Sequence, residues 1–285
     1  MSQVGVVADG TSCLPAELAR KYGIAIAPLI MNINGKSYVD IVDMTNEKFW
    51  EMFNSNAIKQ FGTSQAAGQF VHAFRETARS ADNIVCIVIS KLLSAAYDAA
   101  TEAREVVKRD FPNLKIEIVD TKSACGVELF AALEAARASQ AGKSLPEVVQ
   151  VAQDISSRAK LLFSLETLKY IIKSGRAPKA AWAGEMLRVR PILGITNGSG
   201  VVESIARVRT KKKSVEKMVD MVGQYCDVNK PLHMAVHYTD SREAGEELKE
   251  VVTSRYNCVE VHLSPFTVAM CGQAGPLLGL SFYSE

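Results

Sequence analysis

A chain of 285 residues exceeds the usual size of a single hydrophobic core, so its length favours two domains. Hydrophobic residues make up 48% and charged residues 22% of the sequence, a globular composition that excludes extensive disorder. The formal net charge of +2, from 33 basic and 31 acidic side chains, excludes a chain-wide attraction to nucleic acid or to an anionic membrane.

The cysteines and the hydrophobic runs indicate the compartment. Six cysteines are spread along the sequence without a Cys-x-x-Cys pair, which is typical of a reducing environment. The N-terminus has no basic region followed by a long apolar stretch, and no run of about 18 apolar residues occurs anywhere. We therefore expect a cytoplasmic protein with no integral membrane segment.

The first half of the chain alternates short β-rich runs with longer helical patterns. Val4 to Ala8 predicts a strand, Pro15 to Tyr22 a helix, and Ile24 to Met31 a second strand. Asn34-Gly35 is a strong signal for a two-residue hairpin, and Lys36 to Val39 is predicted as its returning strand. This hairpin interrupts the alternation of strands and helices.

The alternation resumes at Asn83 to Ile89, whose apolar residues on both faces are typical of a central parallel strand. A helix from about Ser94 to Arg109, a strand at Lys115 to Val119 and a helix near Ser123 follow. Residues 1–155 are therefore predicted to form an α/β domain, a Rossmann-like parallel sheet in a three-layer arrangement.

The pattern changes after a helix predicted at Leu145 to Lys160. Pro191 to Thr196 and Val201 to Ser204 flank an Asn-Gly-Ser-Gly turn and predict a hairpin. Later helices flank a strand at Leu232 to Tyr238, and Leu278 to Tyr283 predicts a final strand. Residues 156–285 are therefore predicted to form a smaller α+β domain with an antiparallel or mixed sheet.

Hydroxyl side chains are concentrated just after the predicted strands, where ligands bind in open parallel sheets. They include Thr11, Ser12, Ser90, Ser94 and Thr121, and Thr63 and Ser64 precede another helix. Helix capping explains any one of these residues more simply than ligand binding does. Convergence of several hydroxyls and helix N-termini at one sheet edge would instead make a site for a carboxylate or a phosphate.

The motifs of several enzyme classes are missing. No GxGxxG follows the first strand, and no GxSxG turn occurs. Gly142-Lys143-Ser144 imitates half a P-loop, but Arg137 stands where the first glycine belongs. His233 and His237 lie four residues apart in an apolar strand without a third ligand, so we interpret them as structural. We predict no catalytic residue, no metal site and no cofactor.

One concentration of basic residues contains Arg207, Arg209 and Lys211 to Lys213. A solvated helix start explains it as well as a surface for an acidic partner or a phosphate does.

Several segments contain short motifs that follow one another in a fixed order. Asp9 to Pro15 resembles Asp-Ser-x-Ser-Asp-Leu-Pro, and Gly62 to Gln65 is similar to Thr-Ser-Gln-Pro. Ile89 to Tyr97 resembles Ser-x-x-Leu-Ser-Gly-Thr-Tyr. Ser174-Gly175-Arg176 is similar to Gly-Gly-Arg, and the segment from Arg207 resembles Arg-x-Arg-Lys-Lys. In this order the motifs resemble those of the DegV family, which includes the FakB fatty-acid-binding subunits of bacterial fatty acid kinase.

The resemblance implies binding of a long-chain fatty acid such as palmitate, stearate or oleate, with the tail in an apolar cavity at or near the domain interface. By the motif match, Thr63 and Ser94, with Ser64 beside Thr63, are expected to hold the carboxylate. Arg176 and Arg209 match arginines of the head-group region and the kinase-facing surface. A separate fatty acid kinase subunit would make the acyl phosphate, so the chain itself would not be an enzyme.

The sequence departs from the family pattern at two places. The closing His-x-Gly-Pro-Gly-x-x-Gly is represented by residues 271–279 without a histidine, and Cys271 or Gly272 is expected in the neighbourhood of the imidazole. Ala95-Ala96 replaces the Gly-Thr that follows the binding serine. We therefore expect good fatty acid binding but weak support of acyl-phosphate formation.

Two other functions stay open at this point. An enzyme acting on a small acyl or phosphorylated substrate would use the same hydroxyl-rich site. A nucleic-acid-associated regulator would act through the basic residues from Arg207 to Lys213, although we expect no nucleic acid partner.

Overall fold

A computed structural model describes residues 3–177 and 189–285. Four strands of the N-terminal half form a parallel sheet in the order β2-β1-β6-β7. They are β1 (Val4–Asp9), β2 (Ile24–Ala27), β6 (Asn83–Val88) and β7 (Lys115–Asp120). All residues of β6 after Asn83 are buried, as expected of a parallel strand that is covered on both faces.

Helices cover both faces of this sheet and confirm the predicted three layers. One face packs against α1 (Ala16–Tyr22), α5 (Gly126–Gln140) and α6 (Leu145–Arg158). The other face packs against α3 (Ala67–Thr77) and α4 (Ala96–Asp110). The N-terminal fold prediction is therefore correct in its layers and in the direction of its strands.

The strand predicted from Ile24 to Met31 is wrong, because this segment forms two strands in different sheets. β2 ends at Ala27, and β3 (Ile30–Ile33) begins after Pro28, whose ring and missing N–H prevent continuation of a hydrogen-bonded strand. The chain leaves the parallel sheet there. It enters a three-stranded antiparallel sheet of order β4-β3-β5.

The small sheet contains the predicted hairpin. β4 (Lys36–Val39) pairs with β3 across Asn34 and Gly35, whose φ angles of 53° and 83° match the left-handed turn expected for Asn-Gly. The third strand is β5 (Phe61–Ser64), which α2 (Asn46–Asn54) separates from the hairpin in the sequence.

The second half of the chain contains a six-stranded mixed sheet of order β10-β9-β8-β13-β11-β12, in agreement with the prediction. Its strands are β8 (Lys160–Leu165), β9 (Arg190–Ile195), β10 (Glu203–Val208), β11 (Leu232–Tyr238), β12 (Cys258–Pro265) and β13 (Leu277–Ser284). Only β11 and β12 pair in parallel among these described strands. The helices are α7 (Lys169–Lys173), α8 (Lys211–Asp220), α9 (Val222–Tyr225), α10 (Arg242–Arg255) and α11 (Val268–Ala274).

Helix α5 lies between the parallel sheet and the six-stranded sheet, and most of its residues are buried because it packs on both. Its first residue, Gly126, is close to β11 and β13. A side chain there would overlap His237 and Ser281, so glycine permits this approach of the helix to the sheet. One continuous hydrophobic core therefore extends from the parallel sheet to the six-stranded sheet.

The predicted division into residues 1–155 and 156–285 stays a prediction. Residue Ile155 lies inside α6, and the chain enters the six-stranded sheet at Lys160. We propose that the domain boundary lies at this junction between α6 and β8. In the described part of the chain, no helix is both long and apolar enough to cross a membrane.

Candidate functional site

A cavity of about 400 Å³ lies where the three sheets approach one another. Most side chains that line it are apolar, and they come from both halves of the chain. Ile89 follows β6, Leu161 and Phe163 belong to β8, and Ile195 ends β9. Its volume falls within the roughly 300–1,000 Å³ that is typical of small-molecule sites.

The alternation of side chains along β8 explains why one of its faces lines the cavity. Leu161 and Phe163 point to the core shared with the parallel sheet, whereas Leu162 points to the separate core on the opposite face of the six-stranded sheet. A strand places successive side chains on opposite faces. Both faces of β8 are therefore apolar, and only one contributes to the cavity.

The cavity brings together four of the five site residues that the family resemblance selects: Thr63, Ser64, Ser94 and Arg176. Thr63 and Ser64 end β5 in the three-stranded sheet, whereas Ser94 lies in the connection from β6 to α4. They therefore reach the cavity from different sheets and not from one sheet edge.

Ser94 combines a capping role with access to the cavity. Its Oγ accepts a hydrogen bond of 3.2 Å from the backbone N–H of Ala96, at the start of α4. A hydroxyl group can accept and donate at the same time. The Ser94 proton is therefore available to an anion in the cavity while the oxygen supports the helix.

A chain of side-chain hydrogen bonds connects Thr63 to Arg176 through Gln273. Gln273 Nε2 donates to Thr63 Oγ1 at 2.6 Å, and Arg176 Nη1 donates to Gln273 Oε1 at 2.8 Å. Thr63 therefore accepts from Gln273 and keeps its own proton for another acceptor. Burial lowers the pKa of Arg176, but guanidinium groups remain charged in proteins. These hydrogen bonds place a cation beside neutral donors at the cavity wall.

Gln273 is a polar residue of the cavity that the motifs did not select. The expected neighbours of an imidazole, Cys271 and Gly272, do not line the cavity: Cys271 is wholly buried, and a side chain at Gly272 would overlap the ring of Phe61. Gln273 stands two residues before Gly275-Pro276, the same spacing as from histidine to Gly-Pro in the family motif. Counting back from Gly-Pro would have found it.

Arg209 is separated from this group. It is exposed between β10 and α8, and it does not line the cavity. The two arginines singled out from the sequence therefore have different positions, Arg176 at the cavity wall and Arg209 on the surface.

Several other hydroxyls singled out after the strands have structural partners. Ser12 Oγ donates to the carbonyl of Asp9 at 2.8 Å, Ser90 Oγ to that of Gly200 at 2.7 Å, and Thr121 Oγ1 to that of Val88 at 3.0 Å. These bonds fix loops around the cavity. The sequence favoured helix capping for these residues, but the three hydroxyls donate to backbone carbonyls and do not cap the helices that follow.

A buried carboxyl pair underlies one wall of the cavity. Thr11, which lines the cavity, contacts Asp9 and Glu128 through its hydroxyl. Asp9 also accepts from the backbone N–H groups of Thr11 at 2.7 Å and Ile89 at 3.0 Å. Burial, together with the negative charge of Asp9, raises the pKa of Glu128 well above its ordinary value. The pair holds the loop after β1 in place.

A family model described as an uncharacterised protein of the DegV family matches residues 3–285. The chain belongs to the DegV family. A DegV domain-containing protein of Clostridium acetobutylicum is 31% identical over 284 residues, which cover 99% of this chain and 98% of the relative. The resemblance inferred from the motifs is confirmed.

Solved structures of the DegV family have the same fold. A DegV family protein from Thermus thermophilus, for which fatty acid binding is described, matches with a TM-score of 0.89 and 25% identity, over 99% of this chain and 100% of that one. DegV from Bacillus subtilis, described as a fatty acid binding protein, matches with a TM-score of 0.88 and 23% identity over both full chains. The second likeness supports the fold alone.

Proposed function

We propose that this DegV family protein binds one long-chain fatty acid, such as palmitate, stearate or oleate. The main support is the largely apolar cavity, which has Thr63, Ser94, Gln273 and Arg176 among its few polar residues. The fatty acid binding described for the Thermus thermophilus relative supports the proposal. A fatty acid has a long apolar tail and one small anionic end. These two parts match the apolar lining and the few polar residues of the cavity.

Burial of the tail supplies the affinity in this proposal. Each buried CH₂ group contributes about 0.8 kcal/mol, so a chain of sixteen carbons contributes roughly 10 kcal/mol before the ordering costs of binding. Side chains such as Leu161, Phe163 and Ile195 provide the apolar contacts. A short acyl group would lose most of this free energy, which favours long chains.

The carboxylate is proposed to accept hydrogen bonds from Thr63 and Ser94, with Ser64 beside Thr63. Each hydroxyl oxygen already accepts a hydrogen bond from the protein, so each hydroxyl group can still donate its proton to the ligand. Arg176 supports this arrangement through Gln273 and contributes positive charge at the wall. Neutral donors leave the carboxylate more nucleophilic than a direct ion pair with a buried arginine would.

We further propose that the protein presents the bound acid to a separate fatty acid kinase subunit and supplies no catalytic residue itself. The exposed position of Arg209, next to the exposed lysines from Lys211 to Lys213, fits a surface that receives an acidic partner. Arg176 is the candidate head-group residue on the cavity side. Arg176 would then act in binding of the head group, and Arg209 in docking of the kinase subunit.

Native extraction followed by mass spectrometry tests the proposal. We expect about one long-chain fatty acid for each purified chain, and tight rebinding of palmitate after delipidation. Absence of lipid, combined with failure of the delipidated protein to bind added palmitate, stearate or oleate, would contradict it. Turnover of small acyl or phosphorylated compounds by such a lipid-free protein would instead favour the enzyme hypothesis.

A further inference from the structure

A second pocket, of about 310 Å³, lies next to the fatty acid cavity between α2, β5, α7 and α11. Aromatic rings form its floor. Phe53 and Tyr170 lie with ring centroids 5.1 Å apart, and Phe61 lies 5.9 Å from Phe49. Phe53, Phe61 and Tyr170 are only partly buried, so ring surface remains open to the pocket. The planes of these ring pairs are tilted by 45° and 65°, so the floor offers single ring faces to a planar group, and the Lys169 ammonium lies 5.6 Å from the centroid of the Tyr170 ring.

Three exposed lysines surround this floor: Lys59, Lys169 and Lys173. Lys169 and Lys173 are four residues apart on α7 and so extend from the same face of the helix. None of the described residues that line the pocket is Asp or Glu. Three positive charges without a carboxylate are a local excess in a chain whose overall charge is nearly balanced. This charge favours an anion of more than one charge over a singly charged one.

Three uncharged polar side chains, Asn56, Ser174 and Gln273, lie among the aromatic rings and the lysines. Ser174 Oγ donates to the carbonyl of Ile171 at 2.8 Å, and Gln273 is bonded to Thr63 and Arg176, so the Asn56 amide is the polar group offered to a ligand. A simple inorganic anion would use the lysines but not the rings or the amide. A second fatty acid would leave two of the three positive charges unmatched. The combination fits a molecule that carries both an aromatic ring system and a phosphate group.

We infer that this lysine-aromatic pocket, formed by Phe53, Phe61, Tyr170, Lys59, Lys169 and Lys173, binds a nucleoside phosphate. The base stacks on the aromatic floor, and the phosphates lie among the lysines. Its volume is near the lower end of the range for small-molecule sites, which suits one such ligand. Gln273 lines both this pocket and the fatty acid cavity, so the nucleotide lies beside the polar wall of the cavity.

Isothermal titration of the purified full chain with ADP, pyrophosphate and adenosine tests the inference. ADP should bind more tightly than pyrophosphate or adenosine, because only ADP uses both the rings and the lysines. The Lys169→Met/Lys173→Met double variant should bind ADP about tenfold more weakly or worse. Tyr170→Leu should weaken ADP binding while leaving pyrophosphate binding unchanged.

Lys115→Met/Lys143→Met is the matched control, since it removes two exposed lysines outside the pocket and changes the net charge equally. ADP affinity should be unchanged in this control. No binding of ADP, equal binding of ADP and pyrophosphate, or an equal loss in both double variants would overturn the inference. Lipid extraction from the same variants keeps the two proposals distinguishable, because the lysine substitutions should not remove the fatty acid.

Discussion

At the scale of single residues, one hydroxyl group can serve both the fold and the cavity, as Ser94 does by accepting a hydrogen bond from Ala96 while lining the cavity. Motif positions select Thr63, Ser94 and Arg176, and all three line one cavity. The sequence cannot separate capping from binding at Ser94, because the same hydroxyl supports α4 and faces the cavity. Gln273 was missed because the closing motif was aligned on Cys271 and Gly272, although the spacing to Gly275-Pro276 identifies residue 273.

The first prediction concerns the hydroxyls. Thr63→Ala and Ser94→Ala should each weaken fatty acid binding by about 1–3 kcal/mol, the cost of leaving a buried acceptor without its donor. Fluorescence displacement with delipidated protein measures the change. Thr253→Ala and Ser254→Ala remove exposed hydroxyls of α10 and should have no effect. Unchanged affinity in the Thr63→Ala/Ser94→Ala double variant would refute the assignment of the carboxylate site.

The second prediction concerns Gln273, which has the motif spacing of the family's histidine. Gln273→His should increase the yield of acyl phosphate with a fatty acid kinase subunit, because it places an imidazole at the cavity wall. Gly272→His should instead destabilise the protein, since its side chain overlaps Phe61. The measurements are acyl-phosphate yield, lipid affinity and thermal unfolding of both variants. High turnover by the unmodified protein would show that the histidine is dispensable.

The third prediction concerns His237, whose ring is wholly buried. Its Nδ1 donates to the carbonyl of Ser264 at 3.2 Å, and its Nε2 accepts from Ser281 Oγ at 3.0 Å. Burial lowers the pKa of His237 from 6.5 to about 4. Between these two pH values the unfolded state binds a proton that the folded state excludes, so the stability is present above pH 6.5 and is lost as the pH falls.

From pH 7 to pH 5, this difference removes about 2 kcal/mol from the free energy of unfolding. His237→Gln should lose about that much less than the unmodified protein over the same interval, as measured by urea unfolding at both pH values. Other titrating groups contribute equally to both proteins and cancel. Equal pH dependence of the two proteins would mean that the pKa of His237 does not change on folding.

At the scale of elements, periodicity predicts strands and helices well but does not predict where the chain changes sheet. β6 and β11 were located because their apolar runs are long and end at clear signals. The exchange from β2 to β3 occurs within one apolar stretch, and Pro28 is its only local signal. β12 was missed because its residues are only partly buried at the edge of the sheet, so no strong apolar pattern marks it.

The fourth prediction follows from the different elements that carry the two arginines. Arg209 lies on the surface between β10 and α8, whereas Arg176 follows α7 and contacts Gln273. Arg209→Ala should therefore keep its fatty acid while losing acyl-phosphate formation with a kinase subunit. Arg20→Ala removes an exposed arginine of α1 and is the control for loss of one charge. Loss of lipid from the Arg209 variant would refute this division of roles.

At the scale of the whole molecule, the cavity depends on contacts that no local sequence pattern contains. Its walls come from the parallel sheet, the three-stranded sheet and the six-stranded sheet, with residues as distant in sequence as Thr11 and Leu277. Composition predicts enough apolar residues for a cavity but does not predict its position. The position of α5 between the parallel sheet and the six-stranded sheet is apparent only from the structure, in which both sheets pack on that helix. The family motifs selected Thr63, Ser94 and Arg176, which line one cavity, whereas the periodicity of the sequence could not select them.

The last prediction uses this connection between the sheets. A ligand that binds only the folded state raises the free energy of unfolding, by about 2.7 kcal/mol when its free concentration is 100 times its dissociation constant. Since the cavity joins all three sheets, palmitate should shift the whole unfolding transition of the delipidated protein and not only one part of it. Circular dichroism and tryptophan fluorescence should report the same shift, because Trp50 Nε1 donates to the carbonyl of Thr239 at 2.9 Å and so links α2 to the segment after β11.

Val202→Trp provides the matched test, because Val202 lines the cavity from the loop between β9 and β10 and a larger side chain there would occupy its space. This variant should fold, bind palmitate weakly and show little stabilisation by it. Val201→Trp alters the neighbouring residue, which is exposed and does not line the cavity, and should respond to palmitate like the unmodified protein. If palmitate stabilises the Val202 variant as strongly as the unmodified protein, the tail does not lie in this cavity.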